Sequence, residues 1–404
     1  MTSDQPRSDT RQAGPDGLIP RQRRALRSVA VLFWMNGMVV ASYVPRLPGI
    51  RDRLDLDLAT VGIVLALATG AGLLGSLGVG PAVERWPTRT VMIGGALALT
   101  FTLPLVAVAP NALVLLSILT VLSIADVFTD VAMNIQGSAL SSRRRVPVMQ
   151  RLHAMWSLGT VIGGLAATAM AALDVALGIH LLVASAVLLC TLLYVGPGLL
   201  EADGPSTESP GHGGPKGSAT GVALLFAALG AAAIVPEMIN SDWAAFRLTD
   251  DLDASDGIAG LGYVAFTVGM VAGRLAGDVA VHRAGHQRVL KRASAVAGVG
   301  ILVATLIPWT ITVYVGLLAA GIGVSIMFPE LYDAAARHPR PGRALGGLTA
   351  GSRISLLGAP LLVGILADTD RFTVGAAIAL ATIPCVLVVL WLSGRLVEPA
   401  RAGS

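Results

Sequence analysis

Residues 201–220 read EADGPSTESPGHGGPKGSAT, the one long polar interruption in an otherwise hydrophobic chain. Gly, Pro and Ser dominate it, the composition of a flexible linker, and it sets a boundary over about 199–218. Six apolar runs lie on each side of it. They fall at about 27–49, 58–82, 90–109, 111–138, 148–172 and 175–198, then 219–246, 257–281, 289–308, 311–335, 344–367 and 372–394. A spanning helix takes about 20 apolar residues, and each run is long enough. The predicted organisation is a disordered tail (1–26), a six-helix bundle (27–198), the linker (199–218), a second six-helix bundle (219–394) and a second tail (395–404). The fold class is an all-α membrane protein of twelve spans in two pseudo-symmetric bundles.

Composition excludes the soluble alternatives. The 404 residues are 54% hydrophobic and only 13% charged, about half the roughly 25% charge of soluble domains. Mean hydropathy is +0.72. The net charge of +4 does not imply nucleic-acid binding, because no soluble domain presents a basic face. Cys190 and Cys385 both lie inside apolar runs, so neither a disulfide framework nor a cysteine metal site is expected. The six histidines lack ligand spacing, no GxxxxGK[ST] stretch is present, and no metal or cofactor is expected. Arg21, Arg23, Arg24 and Arg27 precede a run that continues to about Pro48, which reads as an uncleaved first span.

Charge placement orients the spans. Of 29 Lys and Arg residues, 22 fall on the side of the N-terminus and five (Arg46, Arg51, Arg53, Arg247, Arg371) in the opposite loops, with Arg274 and Arg353 inside spans. The positive-inside rule then puts both termini in the cytoplasm. The opposite loops are acidic (Asp250, Asp251, Asp253, Asp256), the pattern of a solvated loop or a cation-attracting mouth.

The six-and-six division suggests a duplication. At an offset of 198, Gly75 meets Gly273, Leu77 meets Leu275, Val83 meets Val281 and Arg85 meets Arg283. Phe128 and Asp130 meet Phe328 and Glu330 at 200, and Leu158 and Gly159 meet Leu357 and Gly358 at 199. Parallel repeats with a site between them are a transporter architecture.

Two loops carry a resemblance. GPAVERWPTRT (80–90) and GRLAGDVAVHRAGHQR (273–288) resemble copies of the Gly-x-x-x-Asp-Arg-x-Gly-x-Arg loop of the major facilitator superfamily. The resemblance implies a gate built from Glu84, Arg85, Arg89, Arg274, Asp278 and Arg283. The strings DVAMNIQG (130–137), RLHAMWSLG (151–159), EMINSDWAAF (237–246) and MVAGRLAGD (270–278) resemble the MosC-like branch of that superfamily. Membership implies the superfamily fold, a cavity lined by spans 1, 4, 7 and 10, and secondary transport by alternating access.

Charge inside the spans locates the chemistry. An ionisable group at mid-bilayer costs roughly 2.5–3.5 kcal/mol, so such groups face a cavity or a partner. Asp126, Asp130 and Asn134 share one helical face. Two carboxylates a turn apart do not both ionise cheaply, which makes Asp126 and Asp130, with Glu330, candidates for proton coupling; permanent pairing with an arginine is the alternative. Trp34, Asn36, Asn134, His153, Trp156, Glu237, Asp242 and Arg353 are candidates for the cavity. Arg353 is expected at mid-depth, meeting Glu330 or cargo. Arg274 is expected near the inner surface, latched to Asp278.

No ATP motif and no nucleophile–base pair is present, and only His153 is placed for a membrane transferase, so an enzyme is not expected. The expected protein is a monomeric secondary transporter in a bacterial plasma membrane. Its partners are a small polar solute, protons and the lipid bilayer, with drug or secondary-metabolite export as the alternative.

Overall fold

The computed structural model describes residues 18–142, 148–200 and 220–393. The expected linker, apart from Leu199 and Leu200, and the tail from 395 lie outside them. The first half contains α1 (Pro20–Tyr43), α2 (Leu47–Leu54), α3 (Leu58–Arg85), α4 (Thr88–Thr102), α5 (Ala112–Ser142), α6 (Met149–Ala172) and α7 (Leu177–Val195). The second contains α8 (Thr220–Leu252), α9 (Asp256–Ala284), α10 (His286–Leu306), α11 (Thr310–Ala336), α12 (Pro341–Ala367) and α13 (Val374–Leu392). α1 and α2 form one crossing, joined by a 3-10 turn at Val44–Arg46. Among the described residues, twelve helical stretches are therefore long and apolar enough to cross a membrane.

Several sequence boundaries move, two of them by six residues or more. α1 begins at Pro20, so residues 20–26 are helix rather than tail. α8 continues six residues past 246, which puts Arg247 inside the helix instead of a loop. Arg46, Arg51 and Arg53 likewise belong to the first crossing. α1 begins and α13 ends at one face of the bundle, here the terminal face; the other is the distal face.

Small residues set the packing inside each half. A Cβ on Gly37 or Gly159 would collide with the backbone carbonyl of Trp156 or Trp34, so α1 and α6 touch main chain to main chain. In the second half Gly230 and Gly351 meet the carbonyls of Leu348 and Ala227, giving α8 and α12 the same contact. Close backbone approach through glycine is how helices associate where lipid offers no hydrophobic drive. The duplication reaches individual contacts. A Cβ on Gly75 would touch Ile124, and one on Gly273 would touch Ile322, a pair at the same offset of 198. The match of Gly159 with Gly358 fails, because nothing lies within 4 Å of a Cβ on Gly358. Gly351 fills that role, having the same place in α12 as Gly159 has in α6.

The halves meet along two helix pairs, α3 with α12 and α6 with α9. Toward the distal face these pairs are tight. A Cβ on Gly62 would lie 2.7 Å from the Pro360 carbonyl oxygen, and one on Gly364 would lie 2.6 Å from that of Leu58. On the other pair a Cβ on Gly257 would lie 2.5 Å from Ala172. Polar contacts add to the seal. Arg51 pairs with Asp250 across the halves, and Asp368 accepts a 3.2 Å bond from the Leu58 N–H at the start of α3. The acidic residues expected as solvated loop are thus structural in part.

Candidate functional site

A cavity of about 190 Å³ lies between the halves, lined from α1, α6, α8, α9 and α12. Three formally charged groups line it: Glu237 and Asp242 from α8, and Arg274 from α9. α8 contains Pro236, which withholds a backbone donor immediately before Glu237. Asn240 bonds the Pro236 carbonyl at 2.8 Å. Five residues at about 1.5 Å each place Asp242 some 7.5 Å farther toward the distal face than Glu237.

Arg274 is the hub. Its Nη2 lies 3.4 Å from Glu237 Oε1, and its Nη1 donates to Ser157 Oγ at 2.9 Å. Its guanidinium sits 5.8 Å from the centroid of the Trp156 ring. The expected place of Arg274 near the inner surface is therefore corrected. α9 runs on to Ala284, ten residues or about 15 Å beyond Arg274, which sets the arginine at mid-depth. The Asp278 side chain lies outside the described residues.

Trp156 continues the network into the first half. Its Nε1 donates to Asn36 Oδ1 at 2.9 Å, and Asn36 Nδ2 donates to Asp126 Oδ1 at 2.6 Å. Five candidates are thereby linked: Asp126, Asn36, Trp156, Arg274 and Glu237. Asp130 and Asn134 form a separate pair, with Asn134 Nδ2 2.9 Å from Asp130 Oδ1.

Asp242 is different. Among the described residues no hydrogen bond or ion pair reaches its carboxylate, although it lines the same cavity as Arg274.

Other expected members lie elsewhere. Glu330 sits near the terminal end of α11, where it bonds His286 Nδ1 at 2.8 Å; its helix ends only six residues later. Arg353 does not meet Glu330. Its Nη1 donates to Ser76 Oγ at 2.8 Å on α3. His153 packs edge-on against Phe33 with ring centroids 5.3 Å apart, and among the described residues no hydrogen bond joins it to Asn134. Trp34 is half-buried and lies outside the cavity wall. Glu84 and Arg85 are exposed, Arg85 stacking on Trp86 at 5.4 Å. Arg89 is part-buried and Arg283 exposed.

The sequence reading missed Ser157, Tyr263 and Ser76. Ser157 stands inside the quoted RLHAMWSLG string, and Tyr263 is one of only five tyrosines. A hydroxyl within an apolar run was the available signal for each.

No family model matches the sequence. The chain is 26% identical over 349 residues to an uncharacterized MFS-type transporter of Yersinia pestis, covering 86% of this chain and 90% of that protein. It is 26% identical over 414 residues to the membrane protein MosC of Rhizobium meliloti, covering 100% and 99%. Among solved structures it is similar to a variant of the nucleoside transporter NupG, with a TM-score of 0.74 at 11% identity over 93% of this chain and 100% of that one. A bacterial homolog of the lysosomal transporter Spinster gives a TM-score of 0.65 at 14% identity, over 94% and 96%. The twelve-helix fold is that of the major facilitator superfamily, and along its whole length the chain is similar to the membrane protein MosC.

Proposed function

We propose that the chain is a secondary active transporter that carries a small solute across a bacterial plasma membrane by alternating access, coupled to protons. It works as a monomer, with the terminal face toward the cytoplasm. The observation that supports this most directly is the charged cavity between two halves that are packed together at the distal face. Rocking the halves would exchange that seal for one at the terminal face. The Yersinia pestis relative is an MFS-type transporter, and the structurally similar NupG and Spinster homolog are transporters, in keeping with a role other than enzyme catalysis. The Lys and Arg excess at the terminal face supports the orientation.

Asp126, Asp130 and Asp242 are the carboxylates placed to exchange protons. The position of Glu330 beside His286, near the helix end, fits a role at the terminal gate better. Most of the remaining wall is apolar, including Val40, Ile234, Met238 and Met270, and this favours a second reading, export of a metabolite with an apolar body.

Purified protein in proteoliposomes tests the proposal. An imposed pH gradient should drive solute accumulation or expulsion in the native chain, and Asp130→Asn should abolish that drive while leaving the protein folded. Transport by Asp130→Asn that still follows the gradient would remove Asp130 from coupling. A reporter fused after Ser404 should be active on the cytoplasmic side; activity on the other side would reverse the orientation.

A further inference from the structure

We infer that the cavity selects a small monovalent organic cation, an ammonium group on an apolar or ring-bearing body, and that Asp242 is its counter-ion. This assignment deepens the transporter reading, on which movement of the bound cation across the membrane depends. The charges of the wall decide the sign of the ligand. Glu237, Asp242 and Arg274 are its formally charged groups, and Arg274 is already engaged by Glu237, Ser157 and the Trp156 ring. Among the described residues no hydrogen bond or ion pair reaches Asp242; its electrostatic neighbours are the phenols of Tyr43 and Tyr263, which carry no positive charge to offset it. With its carboxylates ionised, the wall thus holds one more negative than positive charge. A carboxylate away from bulk water is costly to leave unpaired. A bound cation removes that cost, as a proton does in the coupling role given to Asp242 above, so the two compete for one carboxylate; a neutral ligand does nothing for the ionised site. An anion finds Arg274 neutralised by Glu237 and meets Asp242 besides.

The rest of the wall fits the body of such a ligand. Arg274 lies over the Trp156 ring, whereas Tyr263, a second aromatic residue of the wall, has no cation over its ring among the described residues. Met238 and Met270 supply adaptable thioethers for an apolar group. The volume of about 190 Å³ is below the roughly 300–1,000 Å³ of drug-sized pockets, so the ligand is compact.

Binding of matched probes to the purified full chain in nanodiscs tests this: 2-phenylethylammonium, neutral 2-phenylethanol and anionic 3-phenylpropanoate, titrated by calorimetry. The ammonium should bind at least about tenfold tighter than the other two. Asp242→Asn should reduce its preference over the alcohol to within about threefold, with alcohol binding retained as the check on folding. Should that variant not fold, Asp242→Ser and the native three-probe ranking serve the same purpose. Glu237→Gln, which frees Arg274, should improve propanoate binding. Equal binding of the three probes, binding of none, or a cation preference that survives loss of the Asp242 carboxylate would overturn the assignment. Proteoliposome flux separates the two readings. Cation binding without gradient-driven movement removes the transporter reading alone, and driven movement of the neutral or anionic probe removes the cation assignment alone.

Discussion

Asn36 uses both ends of its amide, accepting from the Trp156 indole and donating to Asp126. It is buried, so truncation strands a donor and an acceptor at once. A buried polar group left unpaired costs about 1–3 kcal/mol. Asn36→Ala should therefore lower the unfolding free energy by about that amount, read from denaturation in detergent. Its tryptophan emission should also shift to the red as the indole loses its partner; an unchanged spectrum would show that Trp156 is held by packing alone. The residue types at this site were legible in the sequence, since ionisable and amide groups inside apolar runs are conspicuous. Their pairing was not, because Asn36, Asp126 and Trp156 are brought together by tertiary packing of α1, α5 and α6. The misplacement of Arg274 had a simpler cause: α9 ends three residues beyond the apolar run, and that moves its arginine toward mid-depth.

Helix ends show the same limit at the scale of elements. The stretch RLTDDL after Phe246 is polar, so hydropathy closes α8 too early. Tertiary partners keep it helical. Arg247 pairs with Asp251 at 2.7 Å one turn on, and both side chains are almost fully buried. Arg247 Nε also donates to the Ala304 carbonyl at 3.3 Å. The two oxygens of Asp251 accept from the N–H groups of Val374 and Gly375 at 3.0 and 2.7 Å, capping α13. Removing one member of a buried pair costs about 3–5 kcal/mol, because the other charge is left uncompensated. Asp251→Asn should lower the melting temperature by several degrees, and the double substitution Arg247→Met with Asp251→Leu should recover much of it. Equal losses from the single and double variants would mean that capping, rather than the ion pair, is what matters.

A weaker device sits at the start of α3. There the Asp57 carboxylate accepts from the Thr60 N–H at 2.6 Å, and hydrogen bonding from Thr60 holds its carboxyl below the usual range. A lowered folded value stabilises fully at pH above the ordinary Asp value of about 4, and the contribution disappears as pH falls through the lowered one. Asp57→Ala should thus flatten stability in the acid range alone, measured by melting across pH.

At the scale of the whole molecule, the crossing of Gly62 and Gly364 leaves no room for a side chain between the halves. Gly364→Leu should hold the distal face apart. A cysteine placed at Ser241, which lines the cavity, should then react with a membrane-impermeant reagent from that face at least about tenfold faster, as expected when a conformational equilibrium is displaced by about 1.4 kcal/mol or more. An unaltered rate would show that the seal is maintained by other contacts, such as Arg51 with Asp250. The fold at this scale was the most legible part of the chain, because span length and charge asymmetry are properties of whole segments. The direction in which the halves lean was not, because it depends on close contacts that no segment carries by itself.

Each interface between the halves also carries one strap of the same chemistry: Arg274 on Ser157, and Arg353 on Ser76. In both, the guanidinium comes from the second half and a neutral hydroxyl from the first. Parting an ion pair in an oily setting would strand two opposite charges and raise a steep barrier. A hydroxyl let go by an arginine loses only about 1.5–3 kcal/mol and readily finds another donor. On the rocking mechanism proposed above, two such fasteners would be latches light enough to be undone on every working stroke, and what they would regulate is tempo.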